Sequence, residues 1–225
     1  MKPRITLAET TLPDDSPLKL EEHDGRMSLV IHGQQICGPA TRSTEEELAR
    51  LACAPFRPAR QPKLWFAGLG LGQALAAAAD ELKQKRATFI VAEPMDDLPR
   101  WHREFLPQGV FATDGRVTRE SDCGPAALTS REGEFHAILL HLEVAPASES
   151  GKPLPDDPRW LSAAFGALQP GGLLAIAGSR PNARLTRTLR RSGFDVAEHS
   201  VPSSPNARRP RMLPIWLARK PGRVE

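Results

Sequence analysis

The most constraining stretch of this chain is residues 64–93. It reads Leu64-Trp65-Phe66-Ala67, then Gly68-Leu69-Gly70-Leu71-Gly72, an alanine-rich run over 74–85, and Thr88-Phe89-Ile90-Val91-Ala92-Glu93. The first apolar run is short, as a strand buried on both faces should be. Gly68, Gly70 and Gly72 permit a sharp turn and a close approach of backbone to a ligand. The alanines favour a helix that packs closely on a sheet. The second apolar run ends in a carboxylate about 20 residues past the glycines, the spacing at which an acid takes ribose hydroxyls. The pattern therefore predicts strand, glycine turn, helix, strand and acid, with a nucleoside site at the strands' carboxyl ends. The competing reading is a tight turn with a surface glutamate.

The remainder alternates in the same way. Strands are expected over 116–121 (ending at Asp122), 135–141 and 173–177. Helices are expected over 94–105, 159–168 and 182–191, and a loop over 109–115. Pro170-Gly171-Gly172 should stop the helix that begins at Arg159. Two strands close together, 194–201 and 212–218, suggest an antiparallel hairpin on one edge. The fold class is α/β, a doubly wound sheet. Ahead of it, residues 4–37 read as an antiparallel meander with turns at His23-Asp24-Gly25 and His32-Gly33. So few strands are marginal alone and should pack on the main sheet or on another subunit. We expect residues 1–42 to form this hairpin region and residues 43–225 the main domain. Ser43 and Glu46 read as a capping box opening the helix between them. Residues 147–158 read as a mobile loop.

Charge adds one distinction. Residues 180–225 hold 11 lysines and arginines against 3 acids. A basic tail can bind a polyanion. These arginines lack the interleaved aromatic rings of a stacking platform, Trp216 being the one ring near the cluster at 208–223, so a solvated face is favoured over nucleic acid. Three cysteines far apart and without a CxxC suggest neither a zinc site nor disulfides, and fit a reduced, cytoplasmic setting. No run of apolar residues is long enough to span a membrane.

Leu168-Gln169-Pro170-Gly171-Gly172 before a strand, together with the glycine loop and Glu93, resembles the class I S-adenosylmethionine-dependent methyltransferase fold. The nearer resemblance is to its spermidine synthase-like branch, and it covers nearly the whole chain. It includes the N-terminal hairpins, the Trp101-His102-Arg103 helix, the strand over 135–141 with Pro146, and the final Ile215-Trp216-Leu217-Ala218-Arg219. The resemblance implies a seven-stranded Rossmann-like sheet and a homodimer. It implies that the amides of Gly68, Gly70 and Gly72 approach the ligand's sugar and amino-acid end, and that Glu93 holds the ribose. Asp122 would meet the adenine amino group, or else cap a turn at the strand end.

Departures from that family are informative. Aminopropyltransferases carry an acid in the glycine loop that grips an ammonium group; this chain has Leu71. They carry an aspartate at the end of the fourth strand; here it is His141, with Glu143 two residues on. The chain has no tyrosine. Polyamines need several carboxylates, so polyamine synthesis is disfavoured. Without an acid at position 71, ordinary S-adenosylmethionine or a thioether product such as methylthioadenosine becomes a more plausible ligand than decarboxylated S-adenosylmethionine. His141 reads as a general base oriented by Glu143, or as a structural histidine after catalysis was lost. His102 reads as packing, and Cys123 as unactivated. No metal-ligand spacing occurs. Three functions stay open: a spermidine synthase-like transferase with a small-molecule acceptor, a methyltransferase, and a non-catalytic nucleoside-binding protein.

Overall fold

The computed structural model describes residues 3–148, 151–203 and 209–222. Four N-terminal strands form an antiparallel sheet in chain order: β1 (Ile5–Thr11), β2 (Pro17–His23), β3 (Arg26–Ile31) and β4 (Gln34–Cys37). Its turns fall where the sequence placed them. Asp24 and Gly25 have φ of 51° and 73°, and His32 and Gly33 have 49° and 74°. Two consecutive left-handed residues match the right-handed twist of a hairpin.

The main sheet has seven strands: β5 (Lys63–Ala67), β6 (Thr88–Ala92), β7 (Val117–Glu120), β8 (Phe135–His141), β9 (Leu168–Ala177), β10 (Asp195–Pro202) and β11 (Met212–Arg219). Their order is β10-β11-β9-β8-β5-β6-β7. The first five run parallel. β11 is antiparallel to β9, and β10 to β11, which closes one edge with a hairpin. Chain direction across the sheet reverses between β5 and β8. That reversal opens a crevice at their carboxyl ends, where α/β sheets bind ligands.

Both faces are covered. On one lie the N-terminal sheet, α1 (Arg42–Cys53), α2 (Gln73–Glu81) and α3 (Asp97–Phe105), in a core holding Leu18, Leu20, Leu48, Phe66 and Trp101. The meander thus packs on the main domain. On the other lie α5 (Pro125–Thr129), α6 (Pro158–Ala167) and α7 (Ala183–Arg191), around Trp65, Trp160 and Trp216. Trp216 is fully buried and offers no ring to a nucleic-acid base. No helix among the described residues is long and apolar enough to cross a membrane.

Several local expectations are corrected. Ser43 does not cap α1: its hydroxyl donates to the carbonyls of Pro202 and Ser203, at 3.1 and 3.0 Å, at the end of β10. Glu46 pairs with Arg42 instead of closing a capping box. Pro170-Gly171-Gly172 does not end a helix ahead of a new strand. α6 has already ended at Ala167, and β9 runs through the three residues, its register against β8 shifting between Phe135 and Ala137. Gly171, at φ 79°, accommodates that irregularity, and Gly172 lies where a Cβ would stand 2.9 Å from the Gln169 carbonyl. The helix expected from Pro94 starts at Asp97, and one turn, α4 (Val110–Thr113), interrupts the expected loop. In the segment read as a mobile loop, Ala147 bridges to Pro153, and residues 149–150 lie outside the described part.

Candidate functional site

β5 delivers the glycine loop into the crevice. Gly68, Gly70 and Gly72 have φ of 94°, 53° and 72°, so all three occupy the left-handed region that side chains disfavour. The Gly68 N–H donates to the Ala92 carbonyl at 2.9 Å, tying the loop to the end of β6.

Glu93 follows directly on β6 and is 1% exposed. It does not point into solvent. The Leu69 N–H donates to Oε2 and the Met95 N–H to Oε1, each at 3.0 Å. Burial raises its pKa, while these two amides and the Arg119 charge oppose the rise. Asp122 is exposed and accepts the Gly124 N–H at 2.7 Å, the geometry of a turn cap. It follows the end of β7, where the Glu120 carbonyl accepts the Glu93 N–H at 2.8 Å, and the neighbouring Cys123 is pushed up to about 11 by burial, then by the charges of Glu93 and Asp122. That thiol is protonated at neutral pH and is no nucleophile.

β8 delivers the second side of the crevice. His141 is 7% exposed, and its Nδ1 stands 3.5 Å from Glu143 Oε2. That is an ion-pair distance without hydrogen-bond alignment. The other Glu143 oxygen accepts the Ser179 N–H at 2.8 Å. The structure therefore brings His141 and Glu143 together, and the glycines and Glu93 together.

Between them lies the exit of β8, residues 142–146, the place for an active-site loop at the end of such a strand. A Cβ on Gly70 would stand 2.7 Å from Val144 Cγ1, and one on Gly68 would stand 3.1 Å from Pro146 Cδ. The segment after β8 is closed onto the glycine loop. Beneath it remains a cavity of about 30 Å³ lined by Glu45, Gly68, Leu69, His141 and Val144 among others, enough for a water molecule. A larger, open groove of about 670 Å³ lies outside α2 and touches this region through Leu71, Gly72, Gln73 and His102. His102, read as packing, is 3% exposed and its Nε2 meets the Gly70 carbonyl at 2.9 Å. A carbonyl only accepts, so Nε2 carries the proton. His102 thus braces the loop from the α3 side.

The burial of this ring makes the loop acid-sensitive, and its hydrogen bond to the Gly70 carbonyl works the other way. Burial lowers the His102 pKa below its ordinary value near 6.5. Below that value the unfolded chain binds a proton that the folded chain resists, so stability is lost as pH falls through the folded pKa. Urea unfolding of the wild type should therefore show falling stability from pH 7 toward 5, with a shallower fall in His102→Gln. His136, also lowered by burial, adds slope of the same sign, and Glu93, raised by burial, opposes it equally in both proteins. Equal slopes in both proteins would contradict this role.

No protein-family model matches the chain, and no curated protein matches it in sequence. Solved structures do. The spermidine synthase of Thermotoga maritima aligns over 96% of this chain and 72% of its own, with TM-score 0.69 and 17% identity. A spermidine synthase in complex with the transition state analogue AdoDATO gives the same coverages, TM-score 0.71 and 16% identity. A precorrin-6y C5,15-methyltransferase from Geobacter metallireducens covers 77% of this chain and 86% of its own, with TM-score 0.53 and 15% identity. The fold is that of the spermidine synthases. The methyltransferase shares it more distantly, as a doubly wound sheet of the same class should.

Proposed function

We propose that this spermidine synthase-like chain is a transferase that binds an S-adenosylmethionine-type nucleoside across the ends of β5 and β6, and that its acceptor is not a polyamine. One observation carries the reading. Glu93 is a buried carboxylate fastened to the glycine loop, and two amides use only one acceptor position on each of its oxygens. A carboxylate has about four such positions. Two vicinal hydroxyls of a ribose would take the remaining pair and offset the cost of its burial. Asp122, near the same end, is the candidate for the adenine amino group. Gly68, Gly70 and Gly72 bring backbone close to the sugar and tail once Val144 and Pro146 withdraw.

The chemistry follows from the ligand. An acceptor attacks the carbon next to the sulfonium, that carbon–sulfur bond breaks, and the thioether nucleoside leaves with the electron pair. The sulfonium supplies the reactivity. The protein aligns the acceptor and removes its proton, for which His141 is the candidate base, oriented by Glu143. Whether a methyl or an aminopropyl group moves is set by which substituent faces the acceptor.

The second reading is a non-catalytic nucleoside binder. It is favoured by the poor alignment of His141 Nδ1 with Glu143 and by the closed segment over the glycines. One variant separates the two. A base in place contributes about 10²–10⁴-fold. His141→Ala should lower thioether release by at least about 100-fold with candidate acceptors while leaving the thermal shift given by methylthioadenosine unchanged. Unchanged release would remove His141 as the base, whereas no release by the wild type with any acceptor despite a clear shift supports the non-catalytic reading.

A further inference from the structure

Glu45 is a buried carboxylate that the site described above leaves without a task. It lies in the first turn of α1 and is 4% exposed. The Cys37 thiol and the Thr41 hydroxyl both donate to its Oε1, at 3.3 and 3.1 Å. Neither donor is charged. Among the described residues no lysine, arginine or histidine forms an ion pair with it. A carboxylate taken out of water without a counter-charge is costly.

Its surroundings indicate where a counter-charge would come from. Glu45 faces the cavity beneath the glycine loop, which Gly68, Leu69, His141 and Val144 also line. The cavity lies at the reversal between β5 and β8, where a ligand belongs. His141 adds a second polar group that is more than nine-tenths buried, with Nδ1 in no hydrogen bond. The sulfur that donates to Glu45 stands 3.5 Å from where a Cβ of Gly70 would be, and Val144 crowds the same position. Burial holds the Cys37 thiol well above its ordinary pKa, and the Glu45 charge adds to that, so Cys37 remains a donor.

The geometry points to Glu45 as the counter-charge for the sulfonium of the bound nucleoside, reached when Val144 withdraws. The inference rests on the nucleoside reading above. It places a carboxylate of α1 beside the sulfur, and position 71 still offers no acid to repel the carboxylate of the tail. A donor that carries the charge is held more tightly than its neutral thioether product, and loss of the charge during transfer favours product release.

Calorimetric titration of the intact protein tests this with S-adenosylmethionine and S-adenosylhomocysteine, which differ by one methyl group and one positive charge. Methylthioadenosine, neutral and without the amino-acid tail, is the reference. The wild type should prefer S-adenosylmethionine to S-adenosylhomocysteine by about tenfold or more. Glu45→Gln should reduce that preference to about twofold or less with methylthioadenosine affinity unchanged, which also reports an intact fold. Glu45→Asp should retain it. Equal wild-type affinities for the charged and neutral compounds would overturn the assignment without any variant, as would an undiminished preference in Glu45→Gln. If the wild type fails to bind even methylthioadenosine, the nucleoside reading falls and takes this assignment with it. Binding of methylthioadenosine with an unaltered preference in Glu45→Gln rejects Glu45 alone.

Discussion

Gly70→Ala should unfold about 3 kcal/mol more easily than the wild type. Two costs add. The residue sits at φ 53°, where a side chain costs roughly 1–2 kcal/mol. The new methyl would stand 2.7 Å from Val144 Cγ1, and overpacking of this kind costs about 1–3 kcal/mol. The second cost belongs to a pair, so it can be isolated. Val144→Ala removes the opposing methyl groups, and Gly70→Ala/Val144→Ala should recover about 1 kcal/mol or more relative to the sum of the single variants. Urea unfolding of the four proteins measures this directly. Strict additivity would mean that the segment after β8 does not bear on the glycine loop, and that the closure described here is absent in solution.

Glu93→Ala should cost about 1–3 kcal/mol of stability and at least about 100-fold in nucleoside affinity. The stability loss comes from the Leu69 and Met95 amides, which lose their acceptor in a place water reaches poorly. The affinity loss comes from two charge-assisted hydrogen bonds to the ribose, each stronger than a neutral one. Glu93→Gln separates the effects. It retains one oxygen and the shape of the side chain, so it should keep more of the stability, yet bind nucleoside poorly because its amide group donates where a hydroxyl must also donate. Normal nucleoside affinity in either variant would remove Glu93 from the site.

The parts of the fold that depend on local chemistry were legible in the sequence. Asp24-Gly25 and His32-Gly33 announce tight hairpins because few residues tolerate consecutive left-handed conformations. Three glycines between two short apolar runs announce a strand-turn-helix because only glycine meets that backbone. The parts that depend on distant partners were not. Ser43 looks like a cap until the end of β10 arrives beside it. Pro170-Gly171-Gly172 looks like a stop because a bulge within a strand uses the same residues. Val144 meets Gly70 only when β8 is laid beside β5, and no local pattern encodes that contact.

Glu45 and His102 were legible in principle. Glu45, Leu48, Ala49 and Ala52 follow helical spacing, and all four are buried. Leu98, Trp101 and His102 do the same, with the partly buried Phe105 one turn on. A carboxylate or imidazole on an apolar stripe is the signal. In this chain the first was obscured by the run Glu45-Glu46-Glu47, whose other members face water or arginine.

The function proposed for this chain requires that the crevice between β5 and β8 accept an adenosyl ligand held by Glu93. Calorimetric titration of the wild type and Glu93→Ala with methylthioadenosine measures that most directly, because this nucleoside carries the ribose and adenine and no charged tail. The wild type should give a saturable one-to-one isotherm in the micromolar range, and Glu93→Ala should give none at the same concentrations. A folded wild type that releases no heat with millimolar ligand, or a Glu93→Ala variant that binds as tightly as the wild type, would contradict it.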